Sequence, residues 1–251
     1  MKKDFLSIKL TLGSYGNFVS EIVNLAKAKT SAYVCVANVH MLVEAFQNKV
    51  FGNIVCNADI TTPDGMPLVV ALKWLYGIKQ DRVAGMDLLP SLLEEAENQQ
   101  LPIFFYGGTD EMIASTAIYI SKHYPALSNI GYYSPPFRPL TIEEEQAVIS
   151  KINHSGAGMV FVILGCPKQE KWMASMRGKI NAVMVGIGGA LPVMIGLQKR
   201  APEWMQRNSL EWLYRLSQEP KRLFKRYFVT NSVFIFLVLK EKLRLFFIKK
   251  Q

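Results

Sequence analysis

Several signatures are missing from this 251-residue chain, and each absence removes a class of function. There are three cysteines, Cys35, Cys56 and Cys166, widely spaced and odd in number. No CxxC pair or Cys/His cluster occurs, so a disulfide framework and a zinc site are disfavoured, and buried thiols in a reducing compartment are expected. His40, His123 and His154 are scattered without metal-ligand spacing, and no DxD pair is present to hold a divalent cation. No GxGxxG follows the first apolar strand and no GxxxxGK[ST] occurs, which disfavours NAD enzymes and P-loop NTPases. Lys9 interrupts the apolar start of the chain, so no signal peptide is expected. No run reaches the ~20 apolar residues that cross a bilayer. The longest uncharged run near the end, Tyr227 to Leu239, has 13 residues.

What is present is an apolar chain with a segregated charge. Half of the residues are hydrophobic, enough for a sizeable core. Residues 1–198 carry 16 basic and 16 acidic side chains, whereas residues 199–251 carry 13 and 4. The whole excess of +9 therefore lies in the last fifth of the chain. A patch so segregated implies an anionic partner: phospholipid, a phosphorylated substrate or nucleic acid.

Short apolar runs alternate with amphipathic stretches. Strands are expected at 32–36, 103–106, 130–133, 159–164 and 182–187, with a short one near 54–55 and Ile60. Helices are expected at 40–49, 68–76, 87–98, 110–123, 142–152 and 169–176. Strands apolar throughout belong to a sheet covered on both faces, and the alternation predicts an α/β, doubly wound, mostly parallel, Rossmann-like sheet. Its ligands should bind at the carboxyl ends of the strands. Glycines mark three such ends: Gly107 and Gly108, Gly165, and Gly186 with Gly188 and Gly189. From Leu197 the pattern becomes basic, aromatic and helical, placing a boundary near Gly196: a catalytic domain at 1–196 and a helical appendage at 197–251.

Gly107-Gly108-Thr109 and the Gly186–Gly189 stretch can bring backbone amides to a phosphate, though a tight turn needs the same glycines. Asp64, in Thr62-Pro63-Asp64-Gly65-Met66-Pro67, reads either as an N-cap of the following helix or as a general base. Capping would favour its ionised form and weaken it as a base. Arg82 can neutralise a diphosphate or lie on the surface. Asp87 can contact substrate or cap its helix. Gln169, after the Gly165 strand end, can hydrogen-bond a sugar or base, or lie solvated in the first turn of its helix. In the tail, Leu223, Phe224, Tyr227 and Phe228 share one helical face flanked by Lys221, Arg222, Lys225 and Arg226. Such helices suit the interface of an anionic membrane; a cap on the core or a dimer contact stays open.

Taken together these segments resemble the WecG/TagA/CpsF family of bacterial glycosyltransferases over roughly residues 30–230. The resemblance is carried by Ala37-Asn38-Val39-His40, Pro63-Asp64-Gly65-Met66-Pro67-Leu68, Val83-Ala84-Gly85-Met86-Asp87-Leu88, Phe105-Tyr106-Gly107-Gly108, Gly165-Cys166-Pro167-Lys168-Gln169-Glu170-Lys171-Trp172, Lys199-Arg200-Ala201-Pro202-Glu203-Trp204 and Leu210-Glu211-Trp212-Leu213-Tyr214-Arg215. It implies an inverting transfer of a sugar of the N-acetylmannosamine type from a UDP donor to a polyprenyl-diphosphate-linked sugar. No cofactor and no essential metal would be needed. The enzyme would work peripherally at the cytoplasmic membrane face, in synthesis of cell-surface polysaccharide. The implied base is Asp64, donor contacts fall on Asn38, Arg82 and Gln169, and the arginines over the diphosphate fall on Arg215 and Arg222, with Arg226 a further candidate. Gly85, Asp87, Gly107, Gly108 and Gly188 complete the expected substrate site. One departure stands out: relatives tend to carry an aromatic-acid pair where this chain has Gly188-Gly189-Ala190-Leu191-Pro192-Val193-Met194. That motivates an alternative, an inactive membrane-bound regulator that binds sugar nucleotide. The isoelectric point near 9.4 motivates another, a nucleic-acid-binding α/β protein, although the apolar tail favours lipid and no nucleic-acid partner is expected. Whether the chain forms a homo-oligomer stays open.

Overall fold

A computed structural model describes residues 1–207 and 210–248; the side chains of Arg207 and Arg222 also lie outside the described set. The chain opens with an antiparallel hairpin, β1 (Lys2–Phe5) and β2 (Ile8–Thr11), followed by α1 (Tyr15–Lys27). Next come β3 (Ala32–Ala37), α2 (Val39–Gln47), α3 (Lys49–Cys56), β4 (Ile60–Pro63), α4 (Met66–Tyr76) and α5 (Gly85–Asn98). The second half runs β5 (Ile103–Gly107), α6 (Asp110–His123), β6 (Ile130–Tyr133), α7 (Ile142–His154), β7 (Met159–Ile163), α8 (Lys168–Met176) and β8 (Val183–Gly186). Four helices finish the described chain: α9 (Ala190–Met194), α10 (Glu203–Arg207), α11 (Glu211–Gln218) and α12 (Pro220–Ile248).

Six strands form one parallel sheet in the order β4-β3-β8-β7-β5-β6. The four central strands are buried along their whole length, which explains their uninterrupted apolar runs. Alternate residues feed separate cores. Tyr33, Cys35 and Ala37 of β3 pack into one with α2, α4 and α8; Val34 and Val36 pack into the other with α1 and α5. The doubly wound α/β expectation is therefore the observed architecture. Residues 54–55, expected as strand, instead lie in α3, and only Ile60 joins β4.

The topology decides where a ligand can sit. The chain leaves β3 into α2 on one face, while it leaves the adjacent β8 into α9 on the other. Connections that diverge from neighbouring strands leave a crevice at their carboxyl ends. The segment after Gly196 covers that crevice, since α12 packs along α2 and α4 and α11 packs on α12. Leu223, Phe234, Leu237 and Val238 turn inward on α12. Phe224 and Phe228 face outward and stack at 6.4 Å, so the aromatic face read from the sequence is divided between core and surface. No described helix is long and apolar enough to cross a membrane.

Candidate active site

The crevice is a cavity of about 450 Å³ bounded by the ends of β3, β4, β7 and β8 below and by α11 and α12 above. Asn38, Asp64, Arg82, Gly85, Gln169, Gly188, Arg215 and Arg226 all line it. Segments nearly 190 residues apart in sequence are thus brought to one chamber.

Asp64 stands where β4 gives way to α4. The N-cap of α4 is Gly65, without a side-chain cap, and Pro67 occupies its first turn. Asp64 is therefore free of the capping role considered for it. Its carboxylate instead accepts from the backbone of Gly85, the first residue of α5, and its main chain is tied to the sheet by Asp64 N donating to the Ala37 carbonyl at 2.8 Å. Protein surrounds the carboxylate on most sides although one face opens to the cavity. Burial raises its pKa, with the Glu211 charge adding to the rise and the Arg82 and Arg215 charges and the Gly85 amide opposing it, to a net value of about 6. The outcome is a carboxylate that is still mostly ionised at neutral pH yet much more basic than an exposed aspartate.

Arg82 is committed to structure as well as charge. Its Nε donates to the Asp64 carbonyl at 2.8 Å, and a terminal nitrogen donates to Glu211 at 2.7 Å. Both side chains of this ion pair are about four-fifths buried. It clasps α11 to the loop that carries the carboxylate. Glu211 escaped the sequence-based site set, although its i, i+4 spacing to Arg215 puts both on one helical face. Arg215 reaches the glycine-lined floor, with both terminal nitrogens 3.9 Å from where a Gly189 side chain would begin.

Gln169 projects from α8 and is almost fully buried. Its Oε1 accepts from Gly165 N at 3.1 Å, and its Nε2 donates to Glu170 at 2.8 Å. Gly186 and Gly188 make room for it: a Cβ at either would approach the carboxamide to about 3 Å. Asn38 caps α2, its Oδ1 accepting from Met41 N at 3.1 Å, which leaves its NH2 for a ligand. His40, passed over for want of metal partners, lines the same cavity.

Three expected residues are elsewhere. Asp87 lies in the first turn of α5 and pairs with Arg200. Gly107 ends β5 and Gly108 follows it, and β7 separates that strand from β8. They make a tight strand exit: φ is +111° at Gly107, where a Cβ would meet the Ile163 carbonyl oxygen at 2.6 Å. Arg222 falls on α12 with its side chain outside the described residues. Where the aromatic-acid pair was missed, α9 offers the cavity Ala190, with Leu191 buried beneath. Among the described residues no group of three or more His, Cys, Asp or Glu is placed to hold a metal ion.

Comparison with known proteins bears on this chamber. The model of the glycosyl transferase WecG/TagA/CpsF family matches residues 3–246. The chain belongs to that family. It is thus a glycosyltransferase, and among its relatives two share about a third of its residues. The N-acetylglucosaminyldiphosphoundecaprenol N-acetyl-beta-D-mannosaminyltransferase of Bacillus spizizenii is 34% identical over 87% of this chain and 82% of its own length. The protein of the same name from Bacillus subtilis is 32% identical over 85% of this chain and 81% of its own. For a WecG/TagA/CpsF glycosyltransferase, the chamber supplies a basic carboxylate facing a basic helical roof over a glycine-lined floor.

Proposed function

We propose that this glycosyltransferase moves N-acetylmannosamine from a UDP donor to an N-acetylglucosamine linked through diphosphate to a polyprenyl lipid, with inversion and without an essential metal. The observation that carries the reading is Asp64, a carboxylate with pKa raised to about 6 that opens into a chamber roofed by Arg215 and Arg226. Support for donor and acceptor comes from the names of the relatives at 32–34% identity. In this mechanism Asp64 takes the proton of the acceptor hydroxyl as that oxygen attacks the anomeric carbon. UDP departs on the opposite face. Arg215, Arg226 and Arg222 offset the charge gathering on its diphosphate, a task a bound cation would otherwise perform. Gln169 and the free amide of Asn38 hydrogen-bond the donor, and Arg82 holds Asp64 and α11 in register.

The outer face of α12 supports membrane docking. Phe224, Phe228, Ile235, Leu239, Leu243 and Phe246 are exposed at helical spacing along one stripe, while the last fifth of the chain carries the whole net charge of +9. A long lipid tail could then stay in the bilayer while its head enters beneath α11 and α12. The setting would be the cytoplasmic membrane face, in cell-surface polysaccharide synthesis. The test is to mix the protein with lipid-linked N-acetylglucosamine and a panel of UDP-sugars and to detect products by mass. Transfer from UDP-N-acetylmannosamine supports the proposal. Transfer from another sugar alone, or none from any, refutes it.

A further inference from the structure

His40 lines the cavity and has no role in the transfer described above. It occupies the second position of α2, two residues after the Asn38 cap. Its Nδ1 is buried and has no hydrogen-bond partner. The nearest anion, Glu44 Oε1, lies 3.9 Å away, beyond hydrogen-bond reach. Across the cavity wall, Arg226 of α12 has a buried Nε that is likewise unpartnered. Two orphaned buried nitrogens on facing elements are costly unless a ligand completes them. The charges bearing on His40 are Arg226 from α12 and Glu44 from its own helix. Burial and Arg226 hold its pKa below the ordinary value, with Glu44 opposing. The positive end of α2 acts in the same direction as Arg226. The unliganded ring is therefore neutral at physiological pH, and what the place lacks is an anion that accepts hydrogen bonds.

We propose that His40 is a substrate-contacting residue, its Nδ1 donating to a diphosphate oxygen that Arg226 also holds at the seam of α2 and α12. This rests on the transferase reading above, in which donor and acceptor both carry a diphosphate. The shared chemistry is a non-bridging diphosphate oxygen near the first turn of a helix. An anion seated there would offset the Arg226 charge and favour the Nδ1–H form of the ring. It would also raise the affinity of His40 for a second proton.

The test is titration of the full-length protein with UDP-N-acetylmannosamine and, separately, with a short-chain prenyl-diphosphate-linked N-acetylglucosamine. Wild type is compared with His40→Asn, whose amide replaces Nδ1, and His40→Gln, whose amide falls near Nε2. His40→Gln should weaken one of the two probes about tenfold, while His40→Asn stays within about threefold of wild type. Whichever probe responds identifies the donor or the acceptor as the source of the diphosphate. Proton NMR supplies a readout that a merely structural role would not move. With three histidines in the chain, the signal lost in His40→Gln identifies the ring, and its pKa should rise on adding the responsive probe. Equal affinities in all three proteins, or a pKa that does not move, would overturn the assignment while leaving the transferase reading intact. Failure of wild type to bind either probe would overturn both.

Discussion

Replacing Asp64 with Asn should make the protein more stable while abolishing transfer. The carboxylate has its pKa raised from 3.8 to about 6, chiefly by burial. A raised folded-state value means that the native protein binds the proton more tightly than the unfolded chain, so stability falls as pH rises from about 4 through about 6. A shift of about two units corresponds to about 3 kcal/mol lost at neutral pH, an upper figure because the carboxylate keeps an opening to solvent. Asn carries no charge to desolvate and can still accept from the Gly85 amide. For a chain of this size, even a gain of about 1 kcal/mol raises Tm by about 2–4 °C. The assay is thermal or urea unfolding of wild type and Asp64→Asn at about pH 7.5 and about pH 4. The difference should be clear at the higher pH and should shrink toward zero at the lower, where both side chains are neutral. A variant that is equally or less stable at the higher pH would refute the claim that the site maintains a strained base.

Further outcomes follow from the same geometry. In wild type, kcat/KM should fall with decreasing pH through a limb near 6 as Asp64 takes up its proton; a flat profile across that range would remove Asp64 as base. Glu211→Gln breaks the buried ion pair to Arg82, so turnover should drop at least about tenfold with a loss of stability of about 2 kcal/mol or more, measured by steady-state kinetics and unfolding. Gly186→Ala drives a Cβ to 2.9 Å from Gln169 Nε2 and Met173 Cε and should lower transfer with little loss of fold, while Gly107→Ala should destabilise by about 1–3 kcal/mol and leave the cavity lining in place. Replacing Phe224 and Phe228 together with Ser should weaken binding to anionic vesicles without changing turnover on a water-soluble acceptor; flotation and kinetics would show it.

The central strands could be read directly because burial on both faces forces unbroken apolar runs, as in Val160–Ile163. The hairpin β1–β2 could not. Its strands are four residues each and its turn places Leu6 at φ +55°, where a glycine or asparagine signal would be sought. Gly107 and Gly188 look alike locally as glycine strand exits, and only strand order decides that Gly188 reaches the cavity. Asp64 is visible in the sequence as a turn aspartate before a helix, but its environment depends on Gly85, Arg82 and Glu211, partners up to 147 residues away. The clasp from Arg82 to Glu211 spans 129 residues, and no local pattern reports such a pairing. His40 ends the Ala37-Asn38-Val39-His40 motif, but its orphaned nitrogen becomes visible only once α12 is laid against α2.

One measurement bears most directly on the central claim. Purified wild type and Asp64→Asn, both verified as folded, are incubated with UDP-N-acetylmannosamine and lipid-linked N-acetylglucosamine, and the lipid product is weighed by mass spectrometry. Wild type should add one N-acetylhexosamine to the acceptor and release UDP stoichiometrically, and Asp64→Asn should lose at least about a hundredfold in rate. Near-normal turnover by Asp64→Asn, or no product from wild type, would contradict the account.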